Sequence, residues 1–127
     1  MKITRIIGST LLALPFLFFG GIYFILAPAL PPAKGQPGFE MLHLMRENGL
    51  SIAVAVAHLV TGVLLLVPRT RFVGAILQLP VTLAIVSFHY FMERMGRPIA
   101  SVLVLLNILA LADPARWHAM MAPTSKA

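Results

Sequence analysis

The chain alternates long apolar runs with short polar breaks, and the run lengths set the first expectation. Residues 6–27, IIGSTLLALPFLFFGGIYFILA, carry no charge, and a helix needs roughly 20 such residues to cross the hydrocarbon core of a bilayer. A second run, 49–67, closes at Pro68 and the basic turn Arg69-Thr70-Arg71. A third, 72–92, contains Pro80, and a fourth, 98–112, is stopped by Asp113-Pro114. At about 1.5 Å per residue the fourth reaches only about 22 Å, so it must draw on its flanks or thin the bilayer locally. Trp117, just beyond it, falls where an interfacial aromatic anchor belongs.

Between the first two runs the pattern changes twice. Residues 28–38, PALPPAKGQPG, hold four prolines and two glycines, which predicts an extended connector rather than a helix. Residues 39–48, FEMLHLMREN, are apolar at 39, 41, 42, 44 and 45 and polar at 40, 43, 46 and 47, the spacing of a short amphipathic helix at the interface. No strand alternation and no short-period repeat appears. The sequence therefore predicts a single all-α domain, residues 1–127: a four-transmembrane-helix bundle, the simplest way to pair every backbone polar group in lipid. A cleaved signal peptide is the other reading of the first run, but signal cores are only about 7–15 residues long.

Composition agrees with this pattern. Of the 127 residues 59% are hydrophobic and 11% charged, too few charges to cover a water-facing surface, for which about 25% is usual. The net charge of +6 comes from ten basic residues scattered at the ends of apolar runs, with no basic stripe for nucleic acid. With four spans both termini share a side, where Lys2, Arg5, Arg69, Arg71, Arg116 and Lys126 face four basic residues on the other; three of the four acidic residues accompany that smaller group. The positive-inside rule then places both termini in the cytoplasm, with a bacterial-type inner membrane as the expected location. The absence of cysteine excludes thiolate chemistry, disulfides and cysteine-held iron–sulfur clusters.

Polar groups inside spans turn by default to the helix-packed interior. His58, Thr61 and Gly62 share one face of the second span, Gln78, Thr82 and His89 one face of the third, and Asn107 lies mid-way along the fourth. These six polar side chains predict an interior polar seam. Its plainest role is to cross-link helices by hydrogen bonds of about 1 kcal/mol each. The alternative is a small-ligand or quinone pocket, since a neutral imidazole accepts from a quinone hydroxyl at one nitrogen and donates to a carbonyl at the other. Haem held by His58 and His89 is disfavoured, because the two would lie about 13 Å and about 6 Å deep. His89 and Glu93, with His43, Glu47 and Glu40, are candidates for a metal at the outer rim, although such i,i+4 pairs are usually surface partners. Pro15 and Pro80 should kink their spans, while Gly20, Gly21 and Gly62 should permit close helix approach.

The arrangement resembles the DoxX-like family of small four-helix membrane proteins. The resemblance rests on FLFFGGIYFILAPALPP (16–32), GVLLLVPRTRFVGAILQLP (62–80) and PVTLAIVSFHYFMER (80–94), and spans residues 12–113. It implies a glycine-containing first helix with a Pro-x-Leu-Pro connector, a basic turn after the second helix, and a third helix ending in Phe88-His89 at the outer mouth. Relatives often carry glutamate where this chain has His58, and asparagine near Ala84. The family is associated with quinone-linked sulfur oxidation and membrane redox complexes. The resemblance thus implies a small-molecule binding or accessory subunit of a membrane redox system, quinone being one candidate ligand, with redox subunits or a second copy as partners; the expectation is a chain that is not an enzyme by itself. A structural or assembly subunit and a small oligomeric transporter are the alternative expectations.

Overall fold

The computed structural model describes residues 2–26, 32 and 34–122, and among these it contains six helices and no strand. They are α1 (Lys2–Leu26), α2 (Pro37–Glu47), α3 (Leu50–Leu66), α4 (Arg71–Ser87), α5 (Arg97–Leu111) and α6 (Pro114–Met121), with α4 prolonged by a π-helical turn, Phe88–Met92. The four predicted runs became α1, α3, α4 with its π turn, and α5. Of the expected extended connector, residues 28–31 and 33 lie outside the described residues. Its end differs from expectation: Pro37 and Gly38 already belong to α2, because a proline in the first turn of a helix loses no hydrogen bond. α6 was not expected either. Asp113-Pro114 does stop α5, but the same two residues start a new helix at 67° to it, the Asp113 side chain accepting from the Arg116 N–H and Pro114 taking the first position.

By length and composition α1 and α4 with its π turn are long and apolar enough to cross a membrane, and up to four segments qualify if α2 with α3 and α5 with α6 each count as one bent span. α2 meets α3 at 89°, after Asn48 and a left-handed Gly49. α1 packs on α3 and α5, and α4 packs on the same two, closing a ring of four helices on which α2 leans from the α3 side. One end of the ring gathers the start of α1, the turn at 67–70 and the α5–α6 junction, joined by the Arg5–Asp113 ion pair, an Arg116 bond to the Arg69 carbonyl and an edge-to-face Phe72–Trp117 contact. The other end gathers α2, the π turn and residues 93–96, where Gly38 meets Phe88 and Glu93.

Polarity runs the reverse of a water-soluble domain. Phe18, Ile25, Ile99 and Phe91 are 59–87% exposed, whereas four of the seven largest fully buried side chains are polar: Gln78, Asn107, Thr82 and Ser9. The apolar core is small, built from Leu12, Ala13 and Phe16 of α1 with Leu65, Ala75, Leu103 and Ala110. Its compactness depends on glycines at the helix crossings. A Cβ on Gly20 would stand 2.9 Å from the Ala55 carbonyl oxygen of α3, one on Gly62 2.7 Å from Leu17 Cγ of α1, and one on Gly8 2.9 Å from Leu109 Cβ of α5. Gly74, at the α3–α4 crossing, is equally tight against backbone, 2.9 Å from the Leu65 nitrogen. Gly21 differs from expectation: nothing described lies within 4 Å of its Cβ position, because it points away from the crossing that its neighbour Gly20 fills. Pro15 and Pro80 both sit inside unbroken helices, each depriving the carbonyl four residues earlier of its partner.

Two glycine substitutions separate crossing from surface. Gly74→Ala should lower the thermal midpoint in detergent by the equivalent of about 1–3 kcal/mol, the usual effect of overpacking. Gly21→Ala should leave it unchanged or raise it, since alanine favours a helix by about 1 kcal/mol over glycine. Equal midpoints for the two variants would contradict the packing described.

Candidate functional site

Of the buried polar side chains, Ser9 of α1 bonds within its own helix, donating to the Arg5 carbonyl at 2.7 Å, and the others come from the remaining three helices of the ring. On α3 the Thr61 hydroxyl lies 2.7 Å from the Ala57 carbonyl oxygen and in direct contact with the Gln78 carboxamide of α4. A hydroxyl has one proton to give. Given to Ala57, it leaves the Thr61 oxygen to accept from the Gln78 NH2, since the two ends of a carboxamide are assigned by their hydrogen bonds. The other end of that carboxamide, together with Thr82 Oγ1 one turn further along α4, is buried without a hydrogen-bond partner among the described residues. Asn107 of α5 donates through Nδ2 to the Ala75 carbonyl of α4 at 3.2 Å, and its Oδ1 is buried and unpartnered. Thr61–Gln78 and Asn107–Ala75 thus tie α3 to α4 and α4 to α5.

His58 stands to one side of these ties. Its ring packs on Phe16 of α1, with centroids 4.9 Å apart, and its Nε2 is buried without a partner. The same ring forms part of the wall of a cleft of about 230 Å³ between α1, α2 and α3. Phe19, Ile22 and Tyr23 supply the α1 wall, Leu42, Met45 and Arg46 of α2 cover it, and Ser51, Val54 and Ala55 continue the α3 side. The cleft lies where α2, set at 89° to α3 by the bend at Gly49, approaches the α1–α3 pair. A cleft lined mainly by apolar and aromatic side chains, with few polar groups, is the usual form of a small-molecule site. Tyr23, Arg46 and Ser51 did not stand out in the sequence. The amphipathic pattern of 39–48 was the available signal, but only the bend shows which groove it covers.

His89 lies elsewhere, in the π turn. Its Nδ1 donates to Glu93 Oε2 at 2.7 Å, and its ring fills the space a Cβ on Gly96 would need. Glu93 also accepts the N–H groups of Met95 at 2.8 Å and Gly96 at 3.1 Å, while Arg97 donates to the Tyr90 carbonyl at 2.8 Å. His89 thereby helps fold the turn joining α4 to α5. His43 and Glu47 are on α2, and among the described residues no three His, Asp or Glu side chains converge as a metal would require. Ala84 lies on the exposed face of α4.

The Met95 N–H bond first, and then those from His89 and Gly96, hold the Glu93 carboxyl below its ordinary value of 4.5. A carboxyl lowered in the folded chain stabilises it fully above the unfolded value, and that contribution fades as pH falls through the folded one. Glu93→Gln should therefore be less stable than the parent at pH 7, with the gap between their thermal midpoints narrowing below the ordinary value of 4.5; a gap independent of pH would refute the role given to this carboxylate. For the α3–α4 tie, a double-mutant cycle of Thr61→Val and Gln78→Leu should give a coupling of about 1 kcal/mol, and strict additivity would show the contact to be incidental. Compared with protein-family models, with curated proteins and with solved structures, the chain matches none, and its function has to be read from its own residues.

Proposed function

We propose that this chain is a DoxX-like integral membrane protein whose α1, α3, α4 and α5 cross the bilayer as a four-helix bundle. In this reading α2 lies at the outer interface, both termini are cytoplasmic, and the membrane is of the bacterial inner type. The apolar exterior supports the bilayer, and the Arg5, Arg69, Arg71 and Arg116 end supports the orientation. α3 and α5, at 17 and 15 residues, are shorter than the hydrocarbon core, so the bilayer thins around them or the bent neighbours α2 and α6 share the depth.

We further propose that the chain binds a lipid-soluble small molecule of the quinone class, as a binding or accessory subunit of a membrane redox system. The observation that carries this is the α1–α2–α3 cleft with His58 in its wall. Aromatic side chains flank a flat ring, and the imidazole, turned about its ring torsion, donates to a quinone carbonyl or accepts from a quinol hydroxyl. The cleft lies on the bundle flank, where a molecule dissolved in the acyl chains enters without crossing water. The helix-tying bonds of Thr61, Gln78 and Asn107 favour the second reading for those residues alone: they hold the bundle together while the cleft binds.

Mass spectrometry of the organic extract of the purified protein tests this. The chain should be recovered from membranes only with detergent, carrying quinone in the parent and not in His58→Leu, with both equally helical by circular dichroism. A helical parent that retains no quinone-class molecule, or a His58→Leu variant that retains as much as the parent, would overturn the binding reading. Monodisperse protein in a detergent-free aqueous extract would overturn the membrane reading.

A further inference from the structure

We propose that the other cleft, where α1 begins, α3 turns into α4 and α5 bends into α6, is a phosphate site that seats the head group of an anionic phospholipid. It has a volume of about 210 Å³ and is lined by Arg5, Arg71, Arg116 and Asp113 above Ile6 and Phe72. Three guanidinium groups face one carboxylate, so the walls carry an excess of two positive charges.

The carboxylate holds the site together rather than opposing the anion. Asp113 forms the ion pair with Arg5, lies 3.8 Å from Arg116 Nε, and caps α6 by accepting the Arg116 N–H at 3.4 Å. Arg71 is fixed separately, donating from Nε to the Leu65 carbonyl at 3.0 Å and from Nη2 to the Leu66 carbonyl at 3.3 Å, which closes the end of α3. Arg116 is fixed by its Nη1 bond to the Arg69 carbonyl at 3.2 Å. Each anchor engages part of a planar group with five N–H donors; among the described residues Arg71 makes no further hydrogen bond, and Arg116 makes none from its side chain beyond that to Arg69, its Nε facing Asp113. Guanidinium groups held this way lose little freedom when they grip a phosphate, and their forked donors match its oxygens.

The surroundings select a lipid as the source of the phosphate. Ile3, Ile7 and Val73, 72%, 53% and 48% exposed, give acyl chains an apolar surface beside the charged cleft. Trp117 lies edge-on to Phe72 at 5.1 Å and donates its ring N–H to the Leu111 carbonyl at 2.8 Å, the placement of an aromatic side chain at head-group depth. The site does not depend on the quinone reading, and only its lipid source depends on the membrane placement.

Native mass spectrometry of the full chain in detergent, with equal amounts of phosphatidylglycerol and phosphatidylcholine, tests this. Phosphatidylglycerol adducts should dominate. Arg116→Gln should reduce them roughly fivefold, the effect of one basic side chain near anionic head groups. Arg94→Gln, exposed at the opposite end, should not change them. Arg116→Lys keeps the charge without the fork and should give a partial loss; it replaces Arg116→Gln if that variant does not fold. In lipid-free detergent, inorganic phosphate that raises the thermal midpoint of the parent but not of the Arg116 variant, without a phosphatidylglycerol preference, supports the phosphate site and shifts its source to the free anion. No preference and no phosphate effect, or equal losses in the Arg116 and Arg94 variants, overturns the proposal.

Discussion

An apolar exterior leaves a polar group two places to go: along its own helix or into the space between helices. The ring of helices and its buried polar side chains follow from that restriction. Backbone groups are paired by making most of the described residues helical, and polar side chains that interrupt the apolar runs turn inward, where Thr61 meets Gln78 and Asn107 meets the Ala75 carbonyl. Gln78, Thr82 and Asn107 are fully buried while their chain neighbours Leu77, Leu83 and Ile108 are about half exposed. The glycines at the crossings serve the same end, since helices without a hydrophobic force between them hold together by close contact.

Helix ends are where this scheme fails and charge takes over. Each end strands backbone groups that have no partner within the helix. Arg71 and Arg97 each close the end of a helix by donating to its carbonyls, Glu93 gathers N–H groups in the turn before α5, and Asp113 starts α6. Charges that look like membrane-orienting flanks in the sequence are therefore structural caps as well. At the α1–α6 end, Arg71 closing α3, Arg5 paired with Asp113 and Arg116 bonded to the Arg69 carbonyl together concentrate positive charge around one cleft.

The interior polar groups divide into two kinds. Thr61, Gln78 and Asn107 are committed to bonds between helices, which makes them poor candidates for handling a ligand that comes and goes. His58 is committed to none that is described at Nε2 and stands beside a cleft. The proposed ligand chemistry rests on that difference, not on the number of polar residues in the spans.

Much of this was legible in the chain itself. The apolar runs, their breaks at Pro68, Gly49 and Asp113, and the amphipathic 39–48 stretch placed α1 to α5 closely, though not α6, because run length and local backbone preference act over a few residues. The sequence also marked Gln78, Thr82 and Asn107 as inward-facing, since an apolar surrounding leaves a polar side chain little choice. What it could not determine was partnership. One face of α3 carries both His58 and Thr61, yet only Thr61 meets Gln78; Gly20 lies at a crossing and Gly21 does not; His89 bonds to Glu93 in a π turn instead of joining the other polar groups. Each of these depends on the rotation of one helix against another and on the bends at Gly49 and Asp113. Those angles are fixed by contacts between residues far apart in sequence, so only the tertiary structure decides them.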